Sequence, residues 1–345
     1  MRIHSRPVNV VAVRRGGLYA VPMVLARPPR QSDVARLTGL SQATVSRVLR
    51  NDPSVIPATK ARVFAACEEL GYRVSVGARL LAEGRQALVG LSLSTRVLPT
   101  DRYTSIIHQH LVRHLESSGW GTVLIPADGF DAGLAQVGAV ILIGVSRRDD
   151  RLRLARAAGI PAIAIGHPEE EAPSVAPDDL EGGRIAARHL IAKGRRTLAM
   201  LSAARETGDP GLARRREGFV GAAGEAGLSV AVLETDHAPT AAVDGYRSAL
   251  ALPGGVDGLF CDTDEAAIGA LWALRDRGRR IGPDGDCGLV GFDDLPGMAE
   301  EAGLTTVAQD FEEIARAALS LRGPTIEGRD AAPAIVPVRL RERAT

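Results

Sequence analysis

The chain has 345 residues, 45% of them apolar but only 3% aromatic, so it has room for two or three domains whose cores rest on Ala, Val, Leu and Ile. A net charge of +1 conceals an asymmetry: the first 86 residues carry 14 Lys and Arg against 5 Asp and Glu, and the rest carry 28 against 36. A basic quarter attached to an acidic body suits a head that neutralises a polyanion, and no segment has the length and apolar content that would place the chain in a membrane. Cys67, Cys261 and Cys287 have neither disulfide nor metal-ligand spacing and are expected as small buried residues in a reducing cytoplasm.

At the N-terminus, Arg14-Arg15 followed by the apolar run Leu18 to Ala26 has the outline of an export signal. The run is interrupted by Pro22 and no small-x-small cleavage site follows. Residues 1–29 are therefore expected to be a disordered basic extension, with Met23 as an alternative start.

Residues 30–73 are expected to form a helix-turn-helix head. Ser32 can cap a first helix whose apolar side is Val34, Ala35 and Leu37, and Gly39 supplies the left-handed residue that ends it. Ser41 caps a second helix in which Val45, Val48 and Leu49 fall at i, i+3 and i+4 and share a buried face. The opposite face offers Gln42, Ala43, Ser46 and Arg47. Short polar residues at the start of a second helix suit base edges in a major groove, and an Arg suits phosphate or guanine. Asn51-Asp52-Pro53 breaks the chain before a third helix, Thr59 to Leu70, with Val63, Ala66 and Leu70 on one side. Residues 74–86 hold a short helical stretch, 74–82, too small to be stable alone.

From Ala87 onward, strand-length apolar runs alternate with amphipathic helices. Strands are predicted at Leu88–Leu93, Gly121–Ile125, Ala139–Ile143, Ala162–Ile165, Thr197–Leu201, Ser229–Leu233, Gly258–Phe260 and Gly288–Gly291. Helices are predicted at Thr104–Ser118, Leu180–Lys193, Leu212–Ala226, Asp264–Gly278 and Phe311–Leu321, with at most a short one near Phe130 to Gln136. This alternation implies an α/β body, residues 87–345, of two doubly wound parallel lobes with a ligand crevice at the strands' carboxyl ends. The chain closes on one strand-like stretch, Ile335–Leu340, without a heptad tail, so no coiled-coil tetramer is expected.

The ordered motifs along the chain resemble those of the LacI/GalR family of bacterial transcription regulators. In the head these are Asp33-Val-Ala, Ser41-Gln-Ala-Thr-Val-Ser-Arg-Val-Leu49, Thr59 to Val63, Glu69-Leu-Gly-Tyr72 and Ala78-Arg-Leu-Leu81. In the body they are Asp178-Asp-Leu-Glu-Gly182 leading to His189-Leu190, Arg215-Arg-Glu-Gly218-Phe219, Asp244-Gly-Tyr246, Val290-Gly-Phe-Asp-Asp294 and Leu304-Thr-Thr-Val307-Ala-Gln309. The resemblance implies a homodimeric, cytoplasmic, nucleoid-associated regulator, expected to be a repressor, on a near-palindromic double-stranded operator. It places Ser41, Gln42, Ala43, Thr44, Ser46, Arg47, Tyr72 and Arg79 on DNA, with Leu81 as an apolar wedge in a minor-groove step. It also implies a periplasmic-binding-protein-like body holding a sugar or related metabolite among Tyr103, His167, Asp178, Arg215, Thr263, Asp293 and Gln309. Carboxylates and a forked Arg suit vicinal hydroxyls, and an aromatic face suits a sugar ring.

Some residues depart from the family pattern. Gln31 stands for an apolar residue, Ile56 for the cap of the third helix, Val74-Ser75 for Pro-Asn in the hinge, and Thr263 for Asn in the pocket. Among the alternatives, a free solute-binding protein of the same body fold would carry an export signal and no head. An enzyme finds no Gly-x-Ser-x-Gly, Gly-x-Gly-x-x-Gly or P-loop, and no cofactor is expected. His110 and His114 have metal-compatible spacing without an evident third ligand, so a helix-packing or solvated pair is expected there.

Overall fold

The computed structural model describes residues 10–14, 17–21, 31–49, 54–70, 88–94, 102–145, 149–169, 171–203, 208–235, 241–326 and 331–345. The chain divides into two compact units, Met1–Val74 and Ser75–Thr345. Within residues 1–29, where disorder is expected, β1 (Val10–Arg14) and β2 (Gly17–Val21) pair antiparallel. Both segments are rich in Val and Leu or Tyr, the residue types that favour an extended backbone, and glycine opens the second.

The three head helices are α1 (Gln31–Thr38), α2 (Gln42–Leu49) and α3 (Pro57–Leu70). Val34, Val45, Val48 and Val63 are wholly buried and, with Ala35, Ala66 and Cys67, form one small core that the helical spacing dictates. Leu37, expected in that core, lies exposed; Thr38 turns inward instead and its hydroxyl donates to Val34 O at 2.7 Å. The first helix already includes Ser32, which therefore sits in the first turn and does not cap it. The third begins two residues earlier than predicted, because Pro57 has no N–H to leave unsatisfied at a first helical position.

The second unit contains β3 (Leu88–Leu93), α4 (Arg102–Ser117), β4 (Gly121–Leu124), α5 (Phe130–Leu134), β5 (Ala139–Ile143), α6 (Arg151–Ala157), β6 (Ala162–Ile165) and β7 (Ser174–Pro177). It continues with α7 (Asp179–Ala192), β8 (Leu198–Ser202), α8 (Pro210–Glu225), β9 (Val230–Glu234), α9 (Ala241–Leu250), β10 (Gly258–Cys261) and α10 (Asp264–Asp276). β11 (Gly288–Asp293), α11 (Met298–Glu301), β12 (Thr305–Ala308), α12 (Phe311–Ile326), β13 (Ala334–Val336) and β14 (Arg339–Arg341) complete it. Two six-stranded sheets result, ordered β13-β7-β6-β5-β3-β4 and β14-β12-β11-β10-β8-β9. The first is parallel throughout, and the second is parallel except for β14, which runs antiparallel to β12. Ala139 to Ile143, buried at every position, is what a strand covered on both faces requires.

The eight predicted strands between Leu88 and Gly291 are all present, and the helix near Phe130 is short, five residues. The predicted terminal strand Ile335–Leu340 is instead two strands in different sheets, because Pro337 has no N–H to continue a ladder. Strands β7 and β12 escaped the sequence reading at four residues each. The chain crosses between lobes after Pro177, after Ala308 and around Pro337; the first and last crossings touch where Asp178 N donates to Val336 O at 2.9 Å. Strand order reverses at β3 and at β8, and in open parallel sheets ligands bind beside such switch points.

Candidate functional site

In the head, Gly39 takes φ +61° and ends α1, while Leu40 N bonds back to Ala35 O at 3.1 Å. Ser41 then caps α2: its Oγ accepts from Thr44 N at 3.1 Å and lies 2.9 Å from Thr44 Oγ1. With Val45 and Val48 turned inward, Ser41, Gln42, Ala43 and Arg47 are exposed and Thr44 and Ser46 are half-buried. The start of α2 thus offers a polar, singly charged ridge with no bulky apolar residue on it. On α3, the Arg62 guanidinium donates to Thr38 O and clasps α1 from behind. Tyr72, Arg79, Leu81 and the rest of the expected hinge lie outside the described residues.

In the second unit the crevice is organised by Arg215. Helices α7 and α8 cross at backbone contact because Gly183 and Gly218 have no side chains: a methyl group on the first would collide with Arg215 O, and one on the second with Leu180 O. That approach sets Asp179, at the start of α7, against Arg215 on α8. Arg215 Nε donates to Asp179 Oδ1 at 2.7 Å, and its Nη1 donates to Asp262 O at 2.6 Å and to Asp293 Oδ1 at 3.3 Å. The guanidinium carbon lies 3.6 Å from the centre of the Phe292 ring. Burial opposes the charge on Arg215, but Asp179 and Asp293 outweigh it and hold the group above its ordinary range. Burial likewise opposes ionisation of Asp179, and Arg215 and then His167 overcome it, keeping the carboxylate ionised.

His167 Nε2 lies 2.9 Å from Asp179 Oδ2, so the network runs from the end of β6 in one lobe to α7 in the other. Gln309 Nε2 donates to Asp293 Oδ1 at 2.6 Å, whereas its buried Oε1 has no hydrogen-bond partner among the described residues. Tyr103, in the first turn of α4, meets Phe311 of α12 edge-on, with ring centres 5.8 Å apart. Burial, and then the charge of Asp179, push its phenol well above the ordinary range, so it stays a neutral donor. Tyr103, Asp209, Leu212, Arg215, Thr263, Glu265, Asp293 and Leu295 surround a cavity of about 60 Å³.

Six of the seven crevice residues expected from sequence are therefore brought together, in the cavity wall or in the network behind it; Asp178 is the exception. Its Oδ1 accepts from Glu181 N at 3.1 Å and caps α7, so Asp179 takes the inward position. The spacing Asp178-x-x-Glu181 is that of a capping box and could have signalled which aspartate caps. Thr263 holds two places at once, lining the cavity and capping α10 through Ala266 N at 3.2 Å. Sequence reasoning missed Asp209, Leu212, Glu265 and Leu295. Of these, Asp209 carried a signal, an aspartate immediately before Pro210 at a helix start.

His110 Nδ1 and His114 Nε2 each lie 2.6 Å from an oxygen of Glu312, so the pair joins α4 to α12. Among the described residues no group of three or more His, Cys, Asp or Glu is arranged to hold a metal ion, and no helix is long and apolar enough to cross a membrane. The three cysteines are buried thiols.

Comparison with known proteins agrees with both units. Residues 32–75 match the model of bacterial regulatory proteins of the lacI family, and residues 187–345 match a periplasmic binding protein-like domain. The chain is 31% identical over 327 residues to the HTH-type transcriptional regulator CelR of Thermobifida fusca, covering 89% of this chain and 94% of the relative. It belongs to the lacI family. The HTH-type transcriptional regulator MalR of Streptomyces coelicolor (strain ATCC BAA-471 / A3(2) / M145) is 29% identical over 312 residues, covering 84% of this chain and 88% of that one. Among solved structures, a CelR–cellobiose complex superposes with a TM-score of 0.67 at 27% identity, over 92% of this chain and 99% of the other. A lac repressor dimer bound to operator shares the fold, with a TM-score of 0.67 at 23% identity over 92% of this chain and 99% of that one. As a lacI-family member with both the head and the body, the chain is a DNA-binding transcriptional regulator, and a free solute-binding role is set aside.

Proposed function

We propose that the chain is a homodimeric repressor whose α2 residues Ser41, Gln42, Ala43, Thr44, Ser46 and Arg47 dock a near-palindromic operator, and whose crevice binds a neutral sugar or related polyol that sets operator affinity. Tyr72, Arg79 and Leu81 extend the DNA contact in this reading. The observation that carries it is the Arg215 network, in which a buried guanidinium, two carboxylates and the amide of Gln309 converge between two lobes. Such a set can donate to and accept from adjacent hydroxyl groups, while Tyr103 offers a ring face. The CelR–cellobiose complex supports a saccharide as the class to try first.

Dimerisation is supported by an exposed apolar surface on α9 and α10. Val243, Tyr246 and Leu250 share one side of α9, and Tyr246 OH donates to Asp276 Oδ2 at 2.9 Å, one turn beyond the exposed Trp272. Footprinting on the protein's own promoter region at physiological salt, with and without cellobiose and a panel of neutral sugars, tests the whole reading. Sequence-selective protection that one sugar relieves or strengthens is the expected result. Absence of any selective protection would refute it.

A further inference from the structure

The backbone that carries Asp293 is in an unfavourable conformation. Asp293 and Asp294 have φ of 117° and 59°, and they are the two non-glycine residues with positive φ among the described residues. Such a pair persists only where surrounding contacts over-determine it. Asp293 is also the residue that accepts from Arg215 and Gln309, so the strained corner and the crevice are the same place.

Beneath this corner lies Asp264, the first residue of α10, fully buried. Its Oδ2 accepts from Leu295 N at 2.8 Å, and its Oδ1 accepts from Thr306 Oγ1 at 2.6 Å. Strand β11 passes directly over it because residue 291 is glycine; a methyl group there would collide with Asp264 Oδ1. On the far side, Arg343 Nη2 donates to Asp294 Oδ1 at 2.7 Å. The two segments that supply Asp293 and Gln309 are therefore clasped together by one carboxyl group, on one side through the N–H of the cavity residue Leu295 and on the other through the Thr306 hydroxyl.

We propose that Asp264 is a positioning residue for the crevice: it holds the strained Asp293–Asp294 corner and the end of β12 so that Asp293, Leu295 and Gln309 meet Arg215 in a geometry ready for ligand. Asp264 is an awkward side chain to bury for stability alone, since burial pushes its carboxyl up to about 7 and the ion pair nearby is made by Asp294 and Arg343. Its two hydrogen bonds run to the segments that end in the site. An asparagine would keep both, with its amide oxygen accepting from Leu295 N and its amide nitrogen donating to Thr306 Oγ1. An alanine would lose both. The consequence for binding rests on the crevice being the effector site, but the position of Asp293 can be read without any ligand, so the two readings fail separately.

The test uses the full chain and compares Asp264→Asn with Asp264→Ala by hydrogen exchange and crystallography. In Asp264→Asn the Leu295 amide keeps its protection and Asp293 stays on Gln309. In Asp264→Ala that amide exchanges about tenfold faster or more, beyond any change in the β10 amides, and Asp293 leaves hydrogen-bond reach of Gln309. If instead Asp264→Ala speeds exchange evenly across β8, β10 and β11 and leaves Asp293 in place, the side chain is merely structural and the proposal is overturned. Should Asp264→Ala fail to fold, Thr306→Val, which removes the hydroxyl that ties β12 to Asp264 and leaves Leu295 N on the other carboxyl oxygen, is expected to part Asp293 from Gln309 in the crystal structure; an unchanged Asp293–Gln309 contact in that variant overturns the proposal equally.

Discussion

Replacing Asp264 by asparagine should leave the crevice in place but change the pH dependence of stability. The buried carboxyl is raised from an ordinary value of 3.8 to about 7 in the folded chain, chiefly by burial. Folding therefore favours the protonated form. Its contribution is fully present below the unfolded value and is lost as pH rises through the folded one. The loss runs at about 1.4 kcal/mol per pH unit between the two values, or roughly 2–3 kcal/mol from pH 5 to pH 7. The asparagine side chain does not titrate, so the melting temperature of Asp264→Asn relative to the native chain should climb between pH 5 and pH 8, by roughly 5–10 °C for a body of this size. Thermal melts followed by circular dichroism at matched ionic strength measure this, and taking the difference between the two proteins cancels the titration of every other group. A melting-temperature gap equal at both pH values would show that Asp264 is ionised at no cost, and would refute the reasoning.

Other perturbations test the rest of the site. Arg215→Ala leaves Asp179 and Asp293 buried without their cation and should destabilise the body by about 3–5 kcal/mol in urea titrations. It should also abolish any thermal stabilisation by a sugar. Gly183→Ala forces α7 away from α8 and should lower stability by roughly 1–3 kcal/mol while weakening sugar binding measured by calorimetry, since Asp179 and Arg215 are parted. Arg47→Ala should leave melting temperature and sugar binding unchanged yet reduce operator affinity in a gel-shift titration, lowering the salt slope by about one if it meets a phosphate. Replacing His110 and His114 together by Gln should return the Glu312 carboxyl, now held low mainly by its bond to His110, toward its ordinary value in an NMR titration. Glu312 helps the α4–α12 contact above its unfolded pKa and loses that help as pH falls through its lowered folded value.

Much of the molecule is legible in the primary structure because its periodicities are unambiguous. Val34, Val45, Val48 and Val63 sit at helical spacing and are buried, and the apolar runs from Leu88 to Ile165 become parallel strands. Strands β7 and β12 were missed because neither reads as an apolar run: the first, Ser-Val-Ala-Pro, ends on a proline, and the second, Thr-Thr-Val-Ala, opens on two threonines. The exposure of Leu37 was missed because it depends on where α3 packs, which is a property of three helices and not of one.

The amino-acid order alone determined the order of elements, the basic head and acidic body, the cap at Ser41 and the glycine at position 39. These are local matters of side-chain pattern and backbone sterics. The tertiary structure decided which of two adjacent aspartates serves the crevice, since Asp178 is consumed by a helix cap and only the close crossing at Gly183 and Gly218 brings Asp179 to Arg215. It also decided the role of Asp264, whose neighbours Leu295 and Thr306 lie 31 and 42 residues away in the chain. Contacts of that range leave no periodic trace in sequence, because what sets them is the packing of a helix against the strands of the sheet.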